Sequence, residues 1–173
     1  MTVRPIAAAA ITLLLALAAT PVTSSAGSAL RPLSAFPRER IAIETPSARR
    51  HLFDAWRADT PETRAQGFMF VDSLRPSQAM IFVYSTPQIV SMWMKNTLIP
   101  LDMLFVDERG CVVKLHERAK PGALDTIAAD VPVVLVVELA GGTAATLGLA
   151  AGDRVVRPDA NWPGNPRPCT SAR

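Results

Sequence analysis

One stretch in the middle of the sequence combines side chains that could bind or react with a small molecule. It carries an indole, a cation, an amide, a hydroxyl and a carboxylate, on Trp93, Lys95, Asn96, Thr97 and Asp102. An aromatic surface beside charged hydrogen-bonding groups suits a polar ring such as a sugar, or a small carboxylate-bearing molecule. These five residues are therefore candidate ligand-binding residues.

Glu138 is the sixth candidate, because it is a carboxylate inside the apolar run 133–139. An unpaired buried charge is costly, so this group must be paired, protonated or exposed at the end of a strand. If it points into the same cavity as Lys95, the two would form a pair with a perturbed pKa. Glu138 and Asp102 could alternatively be the acid/base pair of a hydrolase or lyase acting on an envelope saccharide.

Two strands would have to position the central stretch. Residues 91–96 and 101–107 predict a β-hairpin closed by a four-residue loop. In that register Lys95 faces Asp102 on the same face as Trp93, while the methionines of the stretch lie on the other face. We expect a methionine face in the core and a polar face that borders a groove. The simpler alternative is a cross-strand pair of Lys95 and Asp102 with no binding role.

Methionine is frequent for a domain of this size, and soft thioether ligands suit periplasmic Cu(I). The residues that could take part are Met69, Met80, Met92, Met94, Met103, His51 and His116. The methionines occupy strand positions of the kind that also hold Phe and Ile, so core filling is the better explanation and copper binding the weaker one. We predict no metal site and no cofactor, and two histidines form no recognisable nucleophile arrangement.

The two cysteines, Cys111 and Cys169, are the only ones in the chain. In an exported protein an even number of cysteines predicts a disulfide bond. A bond across so long a loop would contribute roughly 3–4 kcal/mol. Two free thiols are the alternative, and the spacing does not fit a zinc site.

The beginning of the 173-residue chain has the pattern of a signal peptide: an apolar run from Ile6 to Ala19 followed by small residues. The run is shorter than the roughly 20 residues of a bilayer span, although a short uncleaved anchor remains the alternative. We therefore predict a signal peptide over 1–26, a tether over 27–39, a β domain over 40–157 and a proline-rich tail over 158–173. The protein should be periplasmic or secreted, with no membrane span after cleavage.

Charge excludes one class of partner. The 18 basic and 15 acidic residues give a net charge of +3, and the basic residues are scattered. Nucleic acid is therefore not an expected partner. We expect a monomer whose partner is a small polar molecule or a component of the cell envelope.

The fold class follows from the spacing of turn signals. About eight short strands and two short helices predict a mainly β (α+β) domain, a compact antiparallel sheet that is partly closed like a barrel.

Several stretches of the sequence resemble the successive motifs of the DUF192 family. They are Gly67–Phe70, Ala79–Phe82, Trp93–Asp102, Val137–Gly142 and Gly152–Val155. The resemblance covers about residues 40–156. It implies a compact, largely β, barrel-like domain that is often exported, and no established activity. Val71 stands where the family usually has a basic residue, and Ala79 where it usually has glycine.

The function expected from these observations is a non-catalytic module that binds a small polar ligand or an envelope partner. The saccharide hydrolase or lyase is the alternative, so the sequence leaves open whether the protein is an enzyme.

Overall fold

The computed structural model describes residues 30–157 and Cys169. The predicted signal peptide, and the predicted tail apart from Cys169, lie outside this part of the chain. The described strands are β1 (Arg38–Glu44), β2 (Arg50–Ala58), β3 (Gln78–Gln88), β4 (Ser91–Met92), β5 (Leu101–Val106), β6 (Val112–Ala119), β7 (Ile127–Ala128), β8 (Val133–Ala140) and β9 (Arg154–Val156). Two short helices, α1 (Pro61–Gln66) and α2 (Thr143–Leu147), complete the fold.

The predicted tether is partly built into the domain. Leu33–Ala35 forms a 3₁₀ turn, Phe36 is buried, and β1 begins two residues before the predicted domain boundary. Helix α1 begins where its sequence signals predict. The Thr60 hydroxyl accepts a hydrogen bond from the Thr63 backbone N–H, and Pro61 fills the first helical position, where no N–H is needed.

Seven strands form one sheet in the order β6-β5-β8-β3-β2-β1-β9, and β4 and β7 form a separate two-stranded ribbon. The prediction of a mainly β, partly closed barrel-like sheet is confirmed. The sheet is mixed, however, because β2 and β3 run parallel. Helix α1 lies in the crossover between them, and such a connection returns the chain in its original direction.

The two edges of the sheet meet at one end. The Val112 N–H donates to the Asp153 carbonyl, and the Val155 N–H donates to the Gly110 carbonyl, both at 2.8 Å. We call this line of contact the seam. The disulfide between Cys111 and Cys169 lies beside it, so the predicted bond is confirmed. The seam curls the sheet into a half-barrel.

Apolar side chains pack on both faces of the sheet. Met80, Phe82 and Met103 belong to one cluster, while Ile81 and Leu104 belong to the other. This alternation follows from successive strand residues pointing to opposite faces. In the part of the chain that is described, no helix has the length and apolar character needed to cross a membrane.

Candidate functional site

The predicted hairpin of the central stretch is not formed. Strand β4 ends at Met92 and pairs with β7, whereas β5 pairs with β6 and β8. Lys95 therefore does not face Asp102. A tight turn ends the extended backbone, because the Thr97 N–H donates to the Met94 carbonyl and Asn96 adopts a left-handed φ of 58°. Strand β5 instead pairs with the most apolar strand of the domain.

The predicted division of side chains is present for residues 92–96 but not for Asp102, which was expected on the polar face and is buried. Met92 and Met94 are buried in the core, while Trp93, Lys95 and Asn96 are exposed on a loop. Thr97, the next residue, is buried. The Trp93 indole and the Lys95 ammonium therefore lie on the surface.

Asp102 is completely buried, and its carboxylate is hydrogen-bonded to backbone groups. The N–H groups of Arg118, Gly142 and Ala144 donate to it over 2.8–3.0 Å. A helix leaves its first N–H groups without intrahelical partners, and α2 begins after a glycine that has no capping side chain. Asp102 supplies the missing acceptor from another strand, so its role is to hold α2 against the sheet.

A β-bulge presents Arg118 to this carboxylate. Leu101 pairs with Ala119 and Met103 with His116, so two residues of β6 oppose the single Asp102. Arg118 has a left-handed φ of 49°, which is uncommon for a residue with a side chain. The hydrogen bond from its N–H to Asp102 stabilises this conformation and fixes the point from which the guanidinium extends.

Two glycines complete this corner. A Cβ at Gly141 would lie 2.8–2.9 Å from atoms of Pro100, so no side chain fits there. A Cβ at Gly142, whose φ is +92°, would lie 3.2 Å from a guanidinium nitrogen of Arg118. The guanidinium thus lies over a backbone that carries no side chain. Two stretches that carry the family resemblance, Pro100–Asp102 and Gly141–Gly142, meet here.

Glu138 lies on the other face of the sheet. In β8 it pairs with Met80 on one side and Met103 on the other, and it is 3% exposed. Its Oε2 atom has no hydrogen-bond partner among the described residues. Burial raises the pKa of Glu138 to about 8. Of the three states expected from the sequence, the side chain therefore adopts the protonated one at neutral pH, and no pair with the exposed Lys95 is formed.

The proposed acid/base pair is therefore wrong. Asp102 is opposite Leu139 in the β5–β8 ladder and Met103 is opposite Glu138, so the two carboxyl groups point to opposite faces of the sheet. The six predicted ligand-binding residues do not converge on one cavity. Three are exposed on a loop, and Thr97, Asp102 and Glu138 are buried.

A groove of about 710 Å³ lies beside the corner that Asp102 organises. It is lined by the start of β2, the turn before β3, the β8–α2 connection and Arg118. The lining residues are Arg50, His51, Leu52, Phe53, Pro76, Ser77, Arg118, Ala140, Gly141, Gly142, Thr143, Thr146 and Leu147. Its volume is in the range of small-molecule sites.

The polar groups of the groove are cationic or neutral, and no carboxylate lines it. Arg50 is bound to Glu44 at 2.9 Å. Arg118 forms no ion pair with any of the described residues, and the buried Nε2 atom of His51 has no hydrogen-bond partner among them. Leu52, Phe53, Pro76 and Leu147 supply an apolar surface. Such a groove suits a small organic anion with an apolar part.

Sequence reasoning did not select Arg50, His51 or Arg118 as groove residues. The sequence held one indirect indication of the groove. Gly141-Gly142 follows an apolar strand, and glycines at such a position indicate that another group approaches the backbone closely. The bulge that places Arg118 there has no signature in the sequence of β6.

The methionines considered for copper lie mostly inside the protein. Met80, Met92, Met94 and Met103 are buried in one apolar cluster, and Met69 accepts a long hydrogen bond from the Asn96 amide. Within residues 30–157, no group of three or more His, Cys, Asp or Glu side chains is arranged to hold a metal ion.

The structures of similar proteins have been solved. A structure of a putative transcription regulator from Sinorhizobium meliloti 1021 is 38% identical, with a TM-score of 0.70, covering 70% of this chain and 95% of that one. A protein of unknown function from Novosphingobium aromaticivorans DSM 12444 is 33% identical, with a TM-score of 0.70, covering 80% of this chain and 99% of that one. Curated proteins gave no match.

The family comparison agrees with the motifs quoted above. Residues 42–157, nearly all of the described domain, match the profile of DUF192, described as "Uncharacterized ACR". Since this match covers more than half of the sequence, the chain belongs to the DUF192 family.

Proposed function

We propose that the protein is an exported, non-catalytic binding module that holds a small organic anion in the groove between β2 and α2. Arg118 carries the proposal. It lines a groove without carboxylates, lies over Gly142, and has no ion-pair partner among residues 30–157. A guanidinium that extends from a fixed backbone is well suited to bind a carboxylate or a phosphate through two hydrogen bonds.

Asp102 supports this function without contacting the ligand. Its negative charge is buried beneath the groove wall, and its oxygens accept hydrogen bonds from three backbone N–H groups. These bonds fix the backbone of Arg118 and Gly142 before a ligand arrives. A binding group that is ordered in advance loses less conformational entropy on binding, which favours affinity.

Binding is preferred to saccharide hydrolysis because Asp102 and Glu138 lie on opposite faces of the sheet. We propose that the module acts as a monomer outside the cytoplasm, with a ligand from the cell envelope. The signal peptide pattern of residues 1–26 supports that location.

The test is calorimetric titration with octanoate and phenyl phosphate, each compared with a neutral analogue, octanamide and phenol. We expect one anion to bind with one site per chain and its neutral analogue to bind more weakly. Arg118→Gln should weaken binding by at least about tenfold, because a hydrogen bond to a charged group is lost. The comparison of the two anions distinguishes a carboxylate ligand from a phosphate ligand.

Lys120→Gln is the matched control, since it removes an exposed cation two residues away that does not line the groove. It should bind the same anion as the unmodified protein does. The proposal fails if neither anion binds, if the neutral analogues bind equally well, or if Arg118→Gln binds like the control.

A further inference from the structure

Four large apolar side chains are exposed at one end of the domain. Phe70, Trp93, Leu98 and Leu124 are between 51% and 72% exposed. They lie on three loops, which join α1 to β3, β4 to β5 and β6 to β7. We call these four residues the loop-tip cluster. Single exposed apolar residues are normal, but several on adjoining loops mark an interaction surface.

Backbone hydrogen bonds join the three loops. The Phe70 N–H donates to the Asn96 carbonyl at 2.9 Å, and the Met94 N–H donates to the Ala123 carbonyl at 3.1 Å. The Gly122 N–H donates to the Thr97 carbonyl at 3.1 Å. Each member of the cluster is therefore within one residue of a bond between loops, and the loops present the cluster as a unit.

The conformation of Phe70 supports a functional role. Its φ of 60° is left-handed, an outlier for a bulky residue, while nearby Phe68 is buried in the core. The bond to Asn96, which also has a left-handed φ, holds Phe70 in this state. Strain of this kind persists where the surrounding structure imposes it, and it is frequent at binding sites. Here it directs an aromatic ring to solvent.

The charges on the three loops nearly balance. The exposed cations are Arg75, Lys95 and Lys120, and the exposed carboxylates are Asp72 and Asp125, which lie within two residues of Phe70 and Leu124. A surface with an exposed indole, aliphatic side chains and lysines, and little net charge, matches the interface between lipid headgroups and acyl chains.

The position of the N-terminal chain favours a lipid bilayer as the partner of the loop-tip cluster. The described chain begins at Leu30, which lines a small pocket together with Met69, the neighbour of Phe70. The apolar run from Ile6 to Ala19 therefore connects to the domain near the loop-tip cluster, through about ten residues that span at most roughly 35 Å. During export, before the predicted signal peptide is removed, this run would hold the chain at the bilayer and keep the cluster close to the bilayer surface.

We propose that the loop-tip cluster docks on the surface of a phospholipid bilayer. Trp93 and its apolar neighbours enter the headgroup region, and Lys95 and Lys120 contact lipid phosphates. None of the four residues of the loop-tip cluster lines the groove, so either proposal can be correct without the other.

The test uses the full chain with Trp162→Phe, which leaves Trp93 and the buried Trp56 as its indoles. Vesicles of phosphatidylcholine and phosphatidylglycerol should shift the emission of Trp93 to shorter wavelength, and brominated lipid should quench it. The variant Phe70→Asn/Leu98→Ser/Leu124→Ser should lower the partition coefficient by at least about tenfold, because apolar area is lost from the contact. Asparagine tolerates a left-handed φ, so this variant should keep its thermal stability.

Ile89→Ser is the matched control, because Ile89 is equally exposed but lies outside the three loops. It should bind vesicles like the unmodified chain, which also accounts for any binding through the N-terminal run. The proposal is overturned if the Trp93 emission does not respond to lipid, or if the triple variant partitions like the control. It is also overturned if the cluster only mediates self-association, seen as a concentration-dependent mass that the triple variant loses.

Discussion

Glu138 shows how one residue can be unusual without forming a site. Its carboxyl group lies between Met80 and Met103, and burial raises its pKa to about 8. A neutral carboxylic acid is far cheaper to bury than a carboxylate. Glu138 also contributes to the raised pKa of Tyr84, for which burial is the main cause and Arg64 acts in the opposite direction.

The stability of the protein should therefore decrease with pH through Glu138. Its pKa is higher in the folded state than the ordinary 4.5, so the folded state binds the proton more tightly. This contribution is complete below about pH 4.5 and is lost as the pH rises to about 8. The slope is at most about 1.4 kcal/mol per pH unit.

The measurement is urea unfolding of the wild type and Glu138→Gln across this pH range. The stability of the variant minus that of the wild type should increase with pH and level off above about pH 8. Glu117→Gln, at an exposed position, should show no such trend. Parallel curves for Glu138→Gln and the wild type would contradict the assignment.

At the scale of elements, Asp102 connects three of them. From β5 it accepts hydrogen bonds from the end of β6 and from the start of α2. We expect Asp102→Asn to lower the free energy of unfolding by about 2–4 kcal/mol, because an amide nitrogen would then face backbone donors. Chemical denaturation measures this change.

Asp125→Asn is the control for this prediction, since Asp125 is exposed and has no carboxylate hydrogen bond among the described residues. The variant should differ from the wild type by less than about 0.5 kcal/mol. An equally small effect of Asp102→Asn would contradict the prediction, because it would show that the hydrogen bonds of the three N–H groups stabilise the fold without the charge of the carboxylate.

The elements that sequence reasoning predicted are those with local signals. Thr60 and Pro61 mark the start of α1, and the run of apolar residues in β8 marks a strand buried on both faces. The hairpin failed because strand pairing is decided by distant residues, and β5 gains more burial beside β8 than beside β4. For the same reason, the sequence could not predict that Asp102 and Glu138 point to opposite faces of the sheet. Their orientations depend on the register between β5 and β8.

On the scale of the whole molecule, the disulfide joins residues 58 positions apart. The variant Cys111→Ser/Cys169→Ser should lower the free energy of unfolding by roughly 4 kcal/mol, because a long loop is no longer closed in the unfolded chain. Reductant should destabilise the wild type by a similar amount and leave the variant unchanged. A wild type that is insensitive to reductant would contradict this prediction.

The seam between β6 and β9 also affects how folded molecules of the protein interact with one another in solution. A free strand edge is a row of unpaired N–H and C=O groups that a strand from another molecule can extend. Here Gly110 and Val112 form backbone hydrogen bonds with Val155 and Asp153. The N–H and C=O groups of the two outer edges of the sheet are therefore paired with each other at that end. The contacts that curl the sheet thereby also protect the protein against edge-to-edge polymerisation.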